Sequence, residues 1–369
     1  TAVLIIVNSI CYGPMYANVS GFLNASKAEF SEETIQQSKD TIEKVGEEGM
    51  VLVKNDGLLP LSSDVTNLNV FGWDSTCPIY GGTGSAGSHS DGNVSILQSL
   101  QDAGYKTNET LSNMYTEYCA ERPTISMSAQ DWSLPEPNMK HYTDDIMNEA
   151  KDFSDTAMVV LGRPGGEGAD LPTNMSAVIN GTYNQGLATS NAPANWRYMN
   201  ATYTNNGSYD DFEEGESYLE PSVTEEQLIE KVCSQFDNVI VVINANNTME
   251  LDWVDNYEQI KSVILAPGAG ETGFTALGEI LNGTVNPSGK TADTYVKNLL
   301  STHYINNIGN FTYTNVDDLK AQALAADSSY KGNVSFVNYV EGIYVGYKFY
   351  ETAAEAGLID YESSVQYPF

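Results

Sequence analysis

The chain has 369 residues, enough for one large or two medium domains with a substantial core. It carries 49 Asp and Glu against 17 Lys and Arg, a formal net charge of −32. That balance excludes nucleic acid, whose phosphates need Lys and Arg partners, argues against anionic membrane surfaces, and favours a neutral or cationic ligand.

Residues 1–30 read as an N-terminal extension. Thr1 to Val7 is apolar but too short to span a bilayer. It has the look of a signal or membrane-anchor remnant, or of a strand. Ser31 opens a helix to about Glu48, with Glu32 and Glu33 in the first turn, where the helix dipole favours acids. Met50 to Gly57 is a short strand ending in an Asp-Gly turn, and Asn69 to Gly72 is a second strand. A glycine-rich loop, Gly81 to Ser88, comes next. Helical periods then cover Val94 to Ala103, closed by Gly104, and about 109–120 and 143–153.

An apolar run from Ala157 to Leu161 reads as a buried strand. It ends in Gly162-Arg163-Pro164-Gly165-Gly166-Glu167-Gly168-Ala169-Asp170. Residues 172–222 are polar and aperiodic, a long excursion that is either functional or laid onto a partner. A helix capped by Ser222 spans about 224–236, and a strand covers Val239 to Asn244. A helix is expected near 249–256, a strand at Ser262 to Ala266 and a helix at about 272–281. Strands, glycine turns and helices in alternation predict an α/β fold over residues 31–369. Its sheet should be doubly wound and mostly parallel, with helices on both faces, an α/β sandwich. Val239 to Ile243 is apolar throughout, as burial on both faces requires.

In open α/β sheets ligands collect beyond the carboxyl ends of the strands. Glu167 falls there, and flanking glycines let it project from a sharp loop. It is a candidate acid/base, with a solvated loop carboxylate as the alternative. Gly82, Gly84 and Gly87 form a G-x-G-x-x-G, but the next helix starts late and no acidic ribose ligand follows. Backbone N–H groups of this loop offered to a sugar hydroxyl suit it better than a dinucleotide. His89, His141 and His303 form no metal pair, which argues against a zinc hydrolase, and the absence of a G-x-S-x-G elbow argues against a Ser-His-Asp hydrolase; neither a metal nor a cofactor is expected. Trp73, just past a strand end, is the tryptophan placed to stack on a sugar; Trp132, Trp196 and Trp253 read as core. Cys11, Cys77, Cys119 and Cys233 lack C-x-x-C spacing and are too few for a disulfide scaffold. Twelve sequons (Asn18, Asn24, Asn93, Asn108, Asn174, Asn180, Asn200, Asn206, Asn246, Asn282, Asn310 and Asn333) point to a secreted, N-glycosylated protein, with an Asn-rich bacterial chain that carries no glycans as the alternative.

Five stretches together resemble glycoside hydrolase family 3 of the β-glucosidase type, over about residues 30–369. They are Glu48 to Asn55 with Leu58-Leu59-Pro60-Leu61, the Gly81 to Ser85 loop, and Gly166 to Asp170. Val285 to Lys290 with Thr294 comes fourth, and then Tyr339 to Tyr350 with Tyr367-Pro368-Phe369. The resemblance implies the α/β-sandwich domain, with Glu167 as general acid/base of a retaining β-glycosidase. It implies Gly82, Thr83, Gly84, Ser85, Arg163, Asp170 and Trp73 near a β-linked glucoside or oligosaccharide. The family's nucleophilic Asp lies in a TIM barrel, which residues 1–30 cannot hold. Gln130-Asp131-Trp132 and Leu251-Asp252-Trp253 sit inside the sandwich and are not taken for it. The order resembles the permuted members, in which the sandwich precedes the barrel. The chain is therefore expected to be one piece of a larger enzyme, partnered by barrel and fibronectin-like domains in the same or a companion chain and inactive alone. Homo-oligomerisation is left open, and the competing function is a non-catalytic structural or carbohydrate-binding surface module.

Overall fold

The apolar runs become the strands of one six-stranded sheet. These are β1 Val51–Asn55, β2 Asn67–Phe71, β3 Lys106–Thr107, β4 Thr156–Arg163, β5 Asn238–Ala245 and β6 Ile260–Leu265, in the order β1-β6-β5-β4-β2-β3. All neighbours pair in parallel except β1, which runs antiparallel to β6 at the edge. In this computed structural model the described residues are 30–82, 87–88, 92–120, 131–165, 171–183, 202–203, 211–305, 311–330, 335–336 and 339–368, with isolated positions before residue 30. The chain divides into two compact units, Thr1–Thr41 and Ile42–Phe369.

Side chains alternate across a strand with period two, and here both sets are buried. Ala157, Val159, Leu161, Val239, Val241 and Ile243 enter one core, whereas Met158, Val160, Ile240 and Val242 enter the other. Helices cover each face. α1 (Glu32–Gly49) precedes the sheet, and α2 (Ile96–Asp102) lies between β2 and β3 in the chain. α3 (Glu109–Tyr118), α4 (Asp144–Phe153), α5 (Met175–Ile179) and α6 (Val223–Cys233) contribute Leu111, Tyr115, Met147, Ala150, Met175, Leu228 and Val232 to the first core. α2 and α7 (Thr275–Asn282) contribute Ile96, Leu100, Leu277 and Leu281 to the second. The fold is the mostly parallel α/β sandwich expected.

The helices start where short polar side chains cap them. Ser95 accepts from Gln98 N, Asn108 from Thr110 and Leu111 N, and Thr143 from Ile146 N. Ser222 and Glu225 form a reciprocal capping box on α6. Gly72 leaves β2 at φ 92°, and a Cβ there would lie 2.1 Å from the Val160 carbonyl oxygen. Gly72→Ala should therefore cost at least about 2 kcal/mol, since positive φ and a backbone clash act together; urea unfolding measures it.

One expected helix differs in the structure, and two stretches that the sequence left undefined take shape. The helix expected at 249–256 is only a 3₁₀ turn, Asp252–Asn256. The reason is tertiary: Glu250 N donates to Leu219 O at 3.0 Å, and Leu299 N donates to the Glu250 carboxylate. The described ends of the 172–222 excursion pack into their own domain, with Met175, Val178, Phe212 and Tyr218 buried in the first core. Beyond residue 294 lies a small satellite that starts with β7 (Tyr295–Val296). β8 (Phe311–Thr312) pairs antiparallel with β9 (Ser335–Phe336), and α8 (Val316–Ala326) lies between them in the chain. α9 (Tyr347–Glu355) and α10 (Tyr361–Ser364) lead to β10 (Val365–Tyr367), which pairs antiparallel with β7. Val296, Leu299, Tyr350 and Val365 form the satellite's own core. No helix among the described residues is long and apolar enough to cross a membrane.

Candidate functional site

The parallel strands β2, β4, β5 and β6 end at Phe71, Arg163, Ala245 and Leu265, and four connections gather beyond that edge. The chain leaving β2 forms a 3₁₀ turn, Trp73–Ser75, and crosses β4 so closely that a Cβ on Gly162 would lie 2.4 Å from Asp74 Oδ1. Asn244, buried at the end of β5, secures the chain beyond that turn. Its Oδ1 accepts Ile79 N at 2.6 Å, and its Nδ2 donates to Ile79 O at 3.2 Å and Ala266 O at 2.7 Å. Gly270 N donates to Tyr80 O at 2.8 Å. Gly268 comes so near that its Cβ would stand 3.0 Å from Gly81 Cα. The base of the glycine loop, with half-buried Gly82, is thus held against the turn after β6. Thr83, Gly84 and Ser85 lie outside the described residues.

β4 exits through Pro164 and buried Gly165. A Cβ on Gly165 would meet Asn247 Nδ2 at 3.3 Å and Leu171 Cδ2 at 3.6 Å, so both ends of the next loop adjoin each other and the turn after β5. That loop carries Glu167 and Asp170, which fall outside the described residues.

Two expected sugar contacts are placed elsewhere. Arg163 is fully buried and donates all five of its N–H groups to protein. Nε bonds Tyr218 O at 2.7 Å. Nη1 bonds Gly162 O and Glu225 Oε1, both at 2.8 Å, and Nη2 bonds Glu220 O at 2.7 Å and Glu225 Oε2 at 2.6 Å. No donor is left for a sugar hydroxyl; the arginine instead ties residues 218–220 and α6 to the end of β4. Its last strand position suggested the crevice, but its chain-distant partner Glu225 decides its direction. Trp73 is likewise fully buried in the first core, with no face open to a sugar. Trp132 and Trp253 are buried, as read from the sequence. Asn244, which clamps the chain after β2, and Asn247, beside Gly165, are positions that the sequence reading misses, and no local sequence pattern marks them.

The sequons divide by exposure. Asn180, Asn246 and Asn282 are exposed, and Asn174 is half-buried, its side chain accepting Ala177 N as the cap of α5. Asn108 is buried, caps α3 and donates Nδ2 to Asn69 Oδ1 at 3.0 Å, so a glycan there is incompatible with the fold. Asn93 Nδ2 is also shielded from solvent. Asn18, Asn24, Asn200, Asn206, Asn310 and Asn333 lie outside the described residues. Peptide mass spectrometry of protein from a glycosylating host should find Asn108 unmodified. Cys119 and Cys233 are buried, and Cys77 is half-buried.

Carboxyl groups are buried beneath this edge. Glu136 accepts Trp73 N at 2.9 Å and the hydroxyl of Tyr142, which meets the Tyr115 hydroxyl at 2.6 Å. Burial lifts Glu136 to about 8, Glu250 to about 7 and Asp211 to about 6. A carboxyl raised above its unfolded value binds its proton more tightly in the folded state. Its contribution is complete below the unfolded pKa, near 4, and is lost as pH rises through the folded value. The domain should therefore melt at a higher temperature at pH 5 than at pH 8.5. Glu136→Gln should flatten that slope in a calorimetric series; a slope of opposite sign would refute this account.

A doubly wound sheet whose connections gather past the carboxyl ends of its strands defines the class: a mostly parallel α/β-sandwich domain. The comparisons then identify the family. The model of the glycosyl hydrolase family 3 C-terminal domain matches residues 50–347, and the chain belongs to that family. It is 28% identical over 332 residues to beta-glucosidase A of Butyrivibrio fibrisolvens, covering 87% of this chain and 33% of that protein. It is 26% identical over 330 residues to a beta-glucosidase of Ruminococcus albus, covering 88% and 27%. Among solved structures, a beta-glucosidase of Paenibacillus barengoltzii shares the fold with a TM-score of 0.60 at 23% identity, covering 90% of this chain and 29% of that one. Beta-glucosidase 3B of Thermotoga neapolitana in complex with glucose gives 0.59 at 23%, covering 91% and 38%. The chain spans about a third of the length of these curated relatives.

Proposed function

We propose that this domain supplies Glu167 as general acid/base to a retaining β-glucosidase whose nucleophilic carboxylate lies in a domain outside this sequence. The observation that supports it is the position of Gly165. It launches the Glu167 loop from the end of β4, against Leu171 and Asn247 of the turn after β5. A retaining pair needs its carboxyl groups about 5–5.5 Å apart. Glu167 would protonate the glycosidic oxygen as the nucleophile forms the glycosyl-enzyme bond, then take a proton from the attacking water. An ionised nucleophile close by, with Asp170 adding to it, would hold the Glu167 proton until it is needed. Backbone N–H groups of Gly82 to Ser85 would meet sugar hydroxyls. Arg163 contributes from below, by fixing the strand end. A β-linked glucoside as substrate follows the activity for which the relatives are named.

The division of labour is testable directly. Offered 4-nitrophenyl β-glucoside, the 369-residue chain alone should release nitrophenol no faster than an inert protein at equal concentration. Turnover at the rate of an ordinary β-glucosidase would show that both carboxylates are already present.

A further inference from the structure

The satellite carries a concentrated exposed apolar segment. In the turn Tyr339-Val340-Glu341-Gly342-Ile343-Tyr344-Val345, Tyr339 is 82% exposed, Ile343 75% and Val345 61%, and Val340 and Tyr344 are exposed too. Glu341 is its one charged residue, in a chain with net charge −32. Contiguous apolar surface of this kind marks contact sites rather than ordinary solvated surface.

The turn has defined structure. Gly342 N donates to Tyr339 O at 3.3 Å, and Tyr344 N to Glu341 O at 2.9 Å. His303 Nε2 stands 3.1 Å from Tyr344 O, and its ring stacks on Phe349 with centroids 3.7 Å apart. From there a run of bonds leads to the carboxyl edge of the sheet. Leu299 N donates to the Glu250 carboxylate, Glu250 N to Leu219 O, and Arg163 at the end of β4 to Tyr218 O. Leu219 packs against both the satellite core and the first core. The apolar turn is thus tied to the strand end that launches the Glu167 loop.

We propose that Tyr339–Val345 is the docking surface for the domain that carries the nucleophilic carboxylate. The proposal rests on the acid/base reading of Glu167. A nucleophile that must come close to Glu167 has to arrive at this edge, and the turn is the apolar surface tied to it. The curated relatives are about three times as long as the matched part, so they hold the further mass that such a dock needs. A second copy is a poorer occupant, because it would bring another −32 charges against this one. Binding by an acidic domain at an apolar turn draws on burial, which that charge opposes least.

Hydrogen exchange read by mass spectrometry tests it, comparing the 369-residue chain with the complete protein as its host makes it. Amides of 339–345 should exchange at least about tenfold more slowly in the complete protein. A photoreactive phenylalanine analogue at position 343 should crosslink to the nucleophile domain. Ile343→Glu with Val345→Glu should leave the melting temperature of the 369-residue chain unchanged, because both side chains are exposed. In the complete protein it should remove the protection and lower kcat/KM on an aryl β-glucoside at least about tenfold. Equal exchange in the two proteins, or crosslinks elsewhere, would overturn the dock. So would a dimer of the 369-residue chain in sedimentation that the double substitution dissolves. Protection and crosslinks that persist while Glu167→Gln leaves activity intact would uphold the dock and refute the acid/base reading.

Discussion

On the proposed acid/base assignment, Glu167→Gln in the full-length protein should lower kcat on an alkyl β-glucoside by about 10²–10⁴-fold, the range for loss of one general acid/base. An alkoxide leaves poorly without a proton, so formation of the glycosyl-enzyme suffers directly. A dinitrophenyl glucoside should respond differently. Its aglycone needs no proton, so the first step stays fast, while the second still lacks a base for water. The glycosyl-enzyme then accumulates, and KM falls together with kcat. Azide, which attacks without a base, should restore turnover on that substrate and leave a glycosyl azide. An unchanged rate on the alkyl glucoside would remove Glu167 from the chemistry, and Asp170 would become the next residue to replace.

Arg163→Met should destabilise the domain by about 3–5 kcal/mol, the cost of breaking a buried ion pair from one side. The substitution strands the Glu225 carboxylate, whose side chain has no exposed surface, and takes donors from the carbonyls of Gly162, Tyr218 and Glu220. Arg163→Lys should recover little, because one ammonium cannot reproduce a planar fork that reaches five acceptors. Guanidinium unfolding of the two variants provides the measurement. A loss below about 1 kcal/mol for the Met variant would mean that water or a neighbour replaces the arginine. Removing both partners, as Arg163→Met with Glu225→Leu, should cost less than the single change, although the capping box on α6 is lost with Glu225.

The parallel core was legible because it is written locally. β4 and β5 are built on the unbroken apolar runs Ala157 to Leu161 and Val239 to Ile243, and Ser95, Asn108, Thr143 and Ser222 stand just ahead of apolar helical periods. What was not legible depends on partners remote in the chain. Nothing within Val51–Asn55 sets its direction; Ile264 and Leu265 do. Arg163 and Trp73 occupy strand-end positions that suit a ligand contact, and Glu225 and the first core claim them instead. Glu250 breaks the period at 249–256 by bonding residues 219 and 299. At the candidate site, glycine flanks and family resemblance singled out Glu167. The Asn244 clamp is silent in the sequence because an amide with three backbone partners, from Ile79 to Ala266, has no local signature.

The antiparallel edge strand has a consequence for synthesis. Asn55 and Ser262, 207 positions apart in the chain, touch at 3.0 Å. β2, β4 and β5 can pair as they leave the ribosome, but β1 has no neighbour until β6 emerges after them. Closing so long a loop carries a high entropic toll and is slow. While β2, β4 and β5 are being made, Val51, Leu52 and Val53 therefore wait unpaired, and β1 joins the sheet only once β6 is available.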